Sequence, residues 1–459
     1  MFQIDFHKPI HIYFCGIGGI SMSGLAEILL EQGFQVSGSD KTASPLTDAL
    51  IAGGAAVFIG QKASNITPDI DCIVFTSAIH PDNPEYQMAE QYHIPMLTRA
   101  QLLGQLMRNY QCPIAISGTH GKTTTTSMVS DILMRAGADP TISVGGILET
   151  IGGNIRVGGK QYFVTEACEY TNSFLSFFPK ISVILNVEED HMDFFKDLSE
   201  IRRSFHSFGA LLPEDGLLII NGDIENWREL TEGLSCKVLS FGTGTHCDYY
   251  PSDISYDKQG YVSALIHTTR GEDFTLTLAV PGIHNLLNAM AAVALTDSLG
   301  ISREHALQAL KVFKGSKRRF EHKGNLGSIT VIDDYAHHPT EITATLTAAN
   351  NYPHREIWCV FQPHTFTRTK AFMDDFAKAL SLADHVVLAD IYPARETDNL
   401  GISSRDLQAK IRDAGTDCFY FSSFDAIENF LLENLIHNDM VITMGAGDIV
   451  KVGENLLGM

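Results

Sequence analysis

The stretch 116–128, "ISGTHGKTTTTSM", decides how the chain is read. An apolar run, "CPIAIS" (112–117), leads into two glycines, a lysine and four consecutive threonines. Strand, glycine-rich loop, lysine and hydroxyl, then helix is the order of a phosphate-binding loop, whose backbone amides and helix N-terminus receive an anion. The common form places four residues between its first glycine and the Gly-Lys pair. Here only Thr119 and His120 separate Gly118 from Gly121. Both glycines permit a tight turn with amides facing phosphate. Lys122 can set its ammonium between the terminal phosphates of a nucleotide, and the Thr123 hydroxyl can ligate Mg²⁺. A helix is expected over 123–135. The short spacing excludes most kinases and GTPases of the standard pattern.

Strand–helix alternation extends on both sides of this loop and implies doubly wound parallel sheets. Upstream, "IHIYF" (10–14), "FQVSGSD" (34–40), "CIVFTS" (72–77) and "PMLT" (95–98) read as strands, and "SMSGLAEILLEQG" (21–33) as an amphipathic helix closed by Gly33. Downstream, "QYFVTEAC" (161–168) and "ISVILNV" (181–187) precede a strand-rich zone and the helix of "PGIHNLLNAMAAVAL" (281–295). Alternation resumes at "ITVIDDYAHHP", "IWCVFQPHTFTRTK", "HVVLADIY" and "MVITMGAGD". Three units follow: 1–108, 109–314 and 315–459. A chain of 459 residues is too long for one core, which agrees.

Composition narrows the class. With 44% hydrophobic and 19% charged residues, this is an ordinary folded protein. A net charge of −21 argues against a nonspecific nucleic-acid binder. The eight cysteines are scattered without a CxxC pair, as expected of free thiols in a reducing cytoplasm rather than of a disulfide framework or a zinc site. The N-terminal stretch does not read as a signal peptide, and no apolar run is long enough to span a bilayer. A cytoplasmic protein, monomer or homodimer, is expected.

Other segments carry chemistry. "GIGGIS", Gly16 to Ser21, joins a strand to a helix, with Asp40 at the end of the next strand. A diphosphate and a ribose suit that pair, although Ser21 stands where the dinucleotide fingerprint has its third glycine. Glu166 and Glu169, then Glu188, Glu189, Asp190, His191 and Asp193, lie after strands that follow the loop. Clustered carboxylates beside a histidine suit a hard divalent cation and a second, mixed-ligand site. Asn285 and Asn288 sit one helical turn apart and can read a base edge, or merely cap a buried helix. "SKRRF" brings Lys317, Arg318 and Arg319 to the presumed hinge. His337, His338, His364 and Arg368 gather after third-unit strands.

In order, "GTHGKTT", the Glu166-x-x-Glu169 pair, "EDHMD", "PGIHNLLNA", "RRF", "DDYAHHPTE" and "QPHTFTRT" resemble the motifs of Mur ligases, through all three units. The resemblance implies an α/β, three-domain architecture: a Rossmann-like N-terminal domain for a UDP-sugar, a central P-loop ATPase-like domain and a Rossmann-like C-terminal domain for an amino acid. It implies ATP-dependent joining of L-alanine to UDP-N-acetylmuramate through an acyl phosphate. "GIGGISM" favours that branch over the ligase that adds a recycled tripeptide to the same nucleotide sugar. A nicotinamide oxidoreductase is the rival from another class, but it leaves the Gly-Lys loop unused.

Carried over, the resemblance has Gly118, Thr119, His120, Gly121, Lys122, Thr123 and Thr124 cradle ATP. Asn285, Asn288 and His337 line the adenine site, and Arg319 meets phosphate. Thr123 and Glu166 hold one Mg²⁺, and His191 helps hold a second. Gly16, Gly18, Gly19, Ile20, Ser21 and Asp40 hold the UDP part, and His364 and Arg368 position the alanine. Two departures stand out: Cys168 where the family often has an acidic residue, and Thr365 where it often has arginine.

Overall fold

The computed structural model describes residues 2–76 and 79–459 and contains three sheets. The first is wholly parallel, in the order β3-β2-β1-β4-β5. Its strands are β1 (His11–Cys15), β2 (Gln35–Asp40), β3 (Ala56–Ile59), β4 (Cys72–Phe75) and β5 (Met96–Thr98). Helices α1 (Ile20–Glu31), α2 (Pro45–Ala52), α3 (Pro84–Gln91) and α4 (Arg99–Met107) complete the unit. The expected strand 72–77 thus ends at Phe75, and Ser77 lies outside the described residues. The chain runs from β1 through β2 to β3 on one side and then crosses from β3 to β4 on the other side of β1, so the glycine turn after β1 sits at a switch of strand order, where such sheets bind ligands.

The central sheet has ten strands, ordered β15-β14-β13-β12-β11-β10-β6-β9-β7-β8. They are β6 (Cys112–Ser117), β7 (Thr141–Leu148), β8 (Gly153–Arg156), β9 (Tyr162–Ala167), β10 (Ile181–Ile184), β11 (Leu217–Asn221), β12 (Lys237–Phe241), β13 (Tyr249–Tyr256), β14 (Tyr261–Thr268) and β15 (Phe274–Pro281). The middle is parallel, and β13–β15 form an antiparallel meander. Along β14 buried and partly exposed residues alternate, whereas β6 is buried throughout because helices cover both its faces. The helices are α5 (Lys122–Arg135), α6 (Leu198–Gly209), α7 (Ile283–Ser298) and α8 (Arg303–Val312). The alanine-rich α7 is buried over most of its length and packs on α5.

The third sheet runs β16-β17-β21-β18-β19-β20, parallel except for the antiparallel edge pair β16–β17. Its strands are β16 (Glu321–Leu326), β17 (Ile329–Asp334), β18 (Ile357–Phe361), β19 (His385–Leu388), β20 (Asp417–Tyr420) and β21 (Met440–Met444). Between and after them come α9 (Pro339–Ala349), α10 (Phe366–Ala371), α11 (Met373–Leu380), α12 (Ser404–Asp413), α13 (Phe424–Asn434) and α14 (Val450–Leu456). Of the strands absent from the sequence reading, β8 and β16 are partly exposed edge strands without a strong apolar pattern, whereas the edge strand β3 (AVFI) and the buried inner strand β11 (LLIIN) are apolar runs that the reading passed over. No described helix is long and apolar enough to cross a membrane. The eight cysteines are free thiols.

The first unit docks on the second through close backbone contacts. Gly104 of α4 lies against Ser176, so a Cβ there would fall 1.9 Å from the Ser176 carbonyl oxygen. Gly24 of α1 makes room for Ile155, and the Asn154 side chain donates to the Ile20 carbonyl (3.1 Å). We predict that Gly104→Ala, which forces backbone apart, costs about 1–3 kcal/mol of stability. Gly153→Ala, with nothing within 4 Å of the added methyl, should change stability by no more than about 0.5 kcal/mol. Denaturant midpoints of the two variants check this.

Candidate active site

The phosphate loop follows from its two glycines. Gly118 (φ +148°) and Gly121 (φ +82°) adopt backbone that disfavours side chains. A Cβ on Gly121 would come within 2.7 Å of Asn288 Oδ1, and one on Gly118 within 2.9 Å of the Leu185 side chain. Asn186, after β10, clamps the turn: its Oδ1 accepts from the His120 amide (2.7 Å) and its Nδ2 donates to the His120 carbonyl (3.1 Å). The Thr119 hydroxyl accepts from the Glu188 amide (3.0 Å). Lys122 Nζ folds back onto the Gly118 and Thr119 carbonyls and meets Glu169 Oε2 at 3.0 Å. Burial works to lower its pKa, but the Glu169 charge and its neighbours outweigh burial and hold the ammonium above its ordinary value.

The acidic segments converge on this lysine from β9 and β10. Glu166 accepts from the Gly145 amide of β7, and Gly146 lies beside the Thr123 methyl, so β7 runs past both expected Mg²⁺ ligands. Glu169, only 3% exposed at its side chain, is the carboxylate that meets both Lys122 and His191. His191 Nε2 stands 3.9 Å from Glu169 and 3.7 Å from Asp190, and its ring stacks on Tyr170 at 4.5 Å. Burial lowers the His191 pKa, which favours the neutral ring with a ligand lone pair. A threonine hydroxyl and a carboxylate suit a hard, oxygen-seeking ion, and a neutral imidazole between carboxylates suits a second.

A cavity of about 260 Å³ opens beside the loop, between the central and third sheets. His120, Thr124, Asn285, Asn288, Arg319 and Glu341 are among its lining residues. Asn285 donates to the Pro281 carbonyl (2.7 Å), which ties its side chain to the end of β15 just before the helix. His337 is not in the lining: its Nδ1 lies 2.9 Å from the Tyr335 carbonyl and 3.3 Å from Glu341, and its ring packs edge-on with His364. Of the expected adenine-site residues, the two asparagines therefore line this cavity and His337 does not. Of the basic residues at the presumed hinge, Arg318 is fixed. Asp333 (3.0 Å) and the Gly445 and Gly447 carbonyls hold it, which leaves Arg319 to enter the cavity.

Glu341 is the hub of this wall. Its carboxylate reaches His120 Nδ1 (3.3 Å), His337 Nδ1 (3.3 Å) and Arg319 (3.5 Å). Burial opposes its charge, but His337, His120 and Arg319 outweigh burial and keep its pKa well below the ordinary carboxylate range. Further ties cross between the units: Thr340 Oγ1 donates to Glu188 (2.6 Å), and His338 Nε2 lies 3.0 Å from the Glu189 carbonyl. His120, Glu188 and His338 also lie close enough to ligate a metal together.

On the other side of His191 lies a second cavity, of about 410 Å³, lined by Tyr170, Asp190, His364, Arg368, Arg395 and Glu396 among others. Arg368 Nε and Nη2 both donate to Asp190 Oδ1, at 3.1 and 2.9 Å. Burial raises the Asp190 pKa, but the Arg368 charge outweighs it and holds the carboxyl below its usual range. His364 is pushed down to about 4 by burial, with Arg368 adding to the effect. In the first unit, Asp40 Oδ2 accepts from the Gly18 amide (2.9 Å) and shapes the glycine turn, where Gly16 has φ +86°. Ile20, half exposed, opens α1, and Ser21 follows it in the first turn.

Three family models match consecutive segments: "Mur ligase family, catalytic domain" over 11–111, "Mur ligase middle domain" over 116–296 and "Mur ligase, glutamate ligase domain" over 318–447. The chain belongs to the Mur ligase family. A UDP-N-acetylmuramate–L-alanine ligase of Lachnospira eligens is 59% identical over 100% of both chains, and one of Agathobacter rectalis is 55% identical over the same share. Among solved structures, a UDP-N-acetylmuramate–alanine ligase from Thermotoga maritima matches with a TM-score of 0.81 at 30% identity, covering 98% of each chain. A murein peptide ligase from Psychrobacter arcticus shares the fold, with a TM-score of 0.71 at 24% identity and 98% coverage of each chain. The expected three-domain α/β architecture is that of this Mur ligase.

Sequence reasoning passed over Glu341, which sits inside the quoted "DDYAHHPTE", and His284, which lines the first cavity. It also missed Arg395, in a loop without any motif. A glutamate three residues after a His-His pair at a helix start was the available signal for Glu341.

His120 makes the tie between units in this Mur ligase pH-sensitive. Burial lowers its pKa, but Glu341 and Glu188 outweigh burial and raise it from 6.5 to about 9. Its contribution to stability is therefore complete below about pH 6.5 and is lost as pH rises through 9. Thermal melting should show Tm falling between pH 7 and 10, with a shallower fall in His120→Gln.

Proposed function

We propose that the chain joins L-alanine to the lactyl carboxylate of UDP-N-acetylmuramate, with ATP cleaved to ADP and phosphate. The observation that carries this reading is the whole-length match to alanine-adding relatives, combined with a phosphate loop that borders one cavity and a second cavity of different lining beside His191. The murein peptide ligase supports the fold alone at its 24% identity, so alanine is the favoured acceptor over a recycled tripeptide. A nicotinamide oxidoreductase would leave the phosphate loop and its lysine without a task.

In the proposed reaction the lactyl carboxylate attacks the γ-phosphorus of ATP and ADP leaves. The alanine amine then attacks the resulting acyl phosphate through a tetrahedral intermediate, and phosphate departs as the amide forms. Two anions must be brought together, so charge neutralisation matters more than a protein nucleophile. Lys122 swings from Glu169 to the terminal phosphates, and Arg319 meets phosphate from the third unit. Asn285 and Asn288 line the nucleotide site, and Gly16 to Ser21 with Asp40 hold the UDP part. His364 and Arg368 serve the amino acid. Thr123 and Glu166 would hold one Mg²⁺ and His191 would help hold a second. Such ions offset the repulsion between carboxylate and phosphate.

ADP release measured with ATP, UDP-N-acetylmuramate and L-alanine omitted in turn tests the reading: it should require all three. Release that ignores the amino acid, or that needs a tripeptide instead, would overturn it.

Lys122→Ala should lower turnover on the order of 10²–10³ or more. It also strands the buried Glu169 carboxylate, so stability should fall with it. The double variant Lys122→Ala/Glu169→Gln should regain melting temperature without regaining turnover, which separates the catalytic loss from the structural one.

A further inference from the structure

The second cavity holds two arginines in different states. Arg368 is committed: Nε and Nη2 are on Asp190 Oδ1, and Nη1 lies 3.3 Å from His364 Nδ1. Its side chain is 11% exposed and its charge is already offset. Arg395 lines the same cavity from the opposite loop and is exposed. Among the described residues, no carboxylate oxygen lies within the 4.0 Å of an ion pair with it.

The carboxylates that share this lining are engaged elsewhere. Glu396 accepts from the Phe366 and Thr367 amides and from the Thr367 hydroxyl, which caps the start of α10. Asp193 accepts from the Tyr170 hydroxyl at 2.7 Å. An anion entering the cavity therefore finds one cation without a partner.

The loop that carries Arg395 is held in place. His364 and Tyr392 form a β-bridge and stack their rings at 5.6 Å, and the Thr365 amide donates to the Tyr392 carbonyl (2.8 Å). Ala394 has φ +51°, a left-handed conformation costly for a residue with a side chain, and Glu396 pins the turn from its far side. Arg395 thus projects from a fixed backbone beside the helix that bears Arg368. Tyr170 of the central unit lines the same cavity as Arg395.

Resting on the ligase reading above, we propose that Arg395 is a specificity-determining residue that receives the α-carboxylate of the acceptor amino acid. Arg368, oriented by Asp190 and His364, forms the adjoining wall. A guanidinium without a partner can take a carboxylate through two parallel charge-assisted hydrogen bonds. Arg368 can do so only by sharing or leaving Asp190.

Steady-state KM values for L-alanine, L-alaninamide, ATP and UDP-N-acetylmuramate test the assignment in wild type, Arg395→Ala and Arg395→Lys. Arg395→Ala should raise the KM for L-alanine about tenfold or more. The KM values for L-alaninamide, which lacks the carboxylate charge, and for the two nucleotides should stay within about twofold. Arg395→Lys, which keeps the charge without the fork, should recover part of the loss. An unchanged KM for L-alanine, an equal rise for alanine and alaninamide, or a rise for UDP-N-acetylmuramate instead would overturn the role of Arg395. Wild-type protein that releases no ADP with L-alanine would overturn the ligase reading itself.

Discussion

A buried glutamate, Glu341, holds the third sheet against the phosphate loop. It sits in the first turn of α9 and reaches His120, in the loop before α5, and Arg319, in the segment that joins the two units. A carboxylate in such a place is tolerable only because several cationic or hydrogen-bonding groups face it. Those groups come from two units, so the charge balance of the wall depends on the units staying closed. The cavity beside the loop exists because this contact sets the spacing of its walls.

The same balance recurs across the candidate site. Lys122 is matched by Glu169, Arg319 by Glu341 and Arg368 by Asp190, with each carboxylate largely buried. Lys122 and Arg319 are proposed to meet phosphate, so there the ligand would exchange one anionic partner for another, whereas Arg368 stays with Asp190 and walls the amino-acid cavity. Such pairing keeps buried cations stable before substrate arrives. It also explains why Lys122 lies folded on its own loop carbonyls, and why Arg395, without a carboxylate partner and exposed, stands apart from the rest.

Close glycine contacts connect the first unit to this chemistry. Gly104 and Gly24 let α4 and α1 lie against central-unit backbone and side chains, and the Asn154 contact joins the start of α1 to β8. The neighbouring strand β7 passes Glu166 and Thr123 through Gly145 and Gly146. One hairpin therefore runs between the glycine turn of the first sheet and the phosphate loop of the second. A shift of either unit would be felt at the loop.

Much of this protein was legible from local pattern. Apolar runs marked several inner strands, β6, β9 and β10 among them, and Gly118, Gly121 and Lys122 marked the phosphate loop, because turn geometry and backbone donors depend on residues only a few positions apart. The order of short motifs pointed to the family and so to Asn288, Arg319, His364 and Arg368. Edge strands such as β8 and β16 were not legible, since their pairing comes from a neighbour rather than from their own composition. Nor were the partners of the charged groups. His120 and Glu341 lie roughly two hundred residues apart, as do Asp190 and Arg368 to a slightly lesser degree. Whether a cation is free or already paired, and whether His337 faces the nucleotide cavity or His364, depends on how three sheets pack together. Those are facts of proximity in space, and no spacing along the chain encodes them.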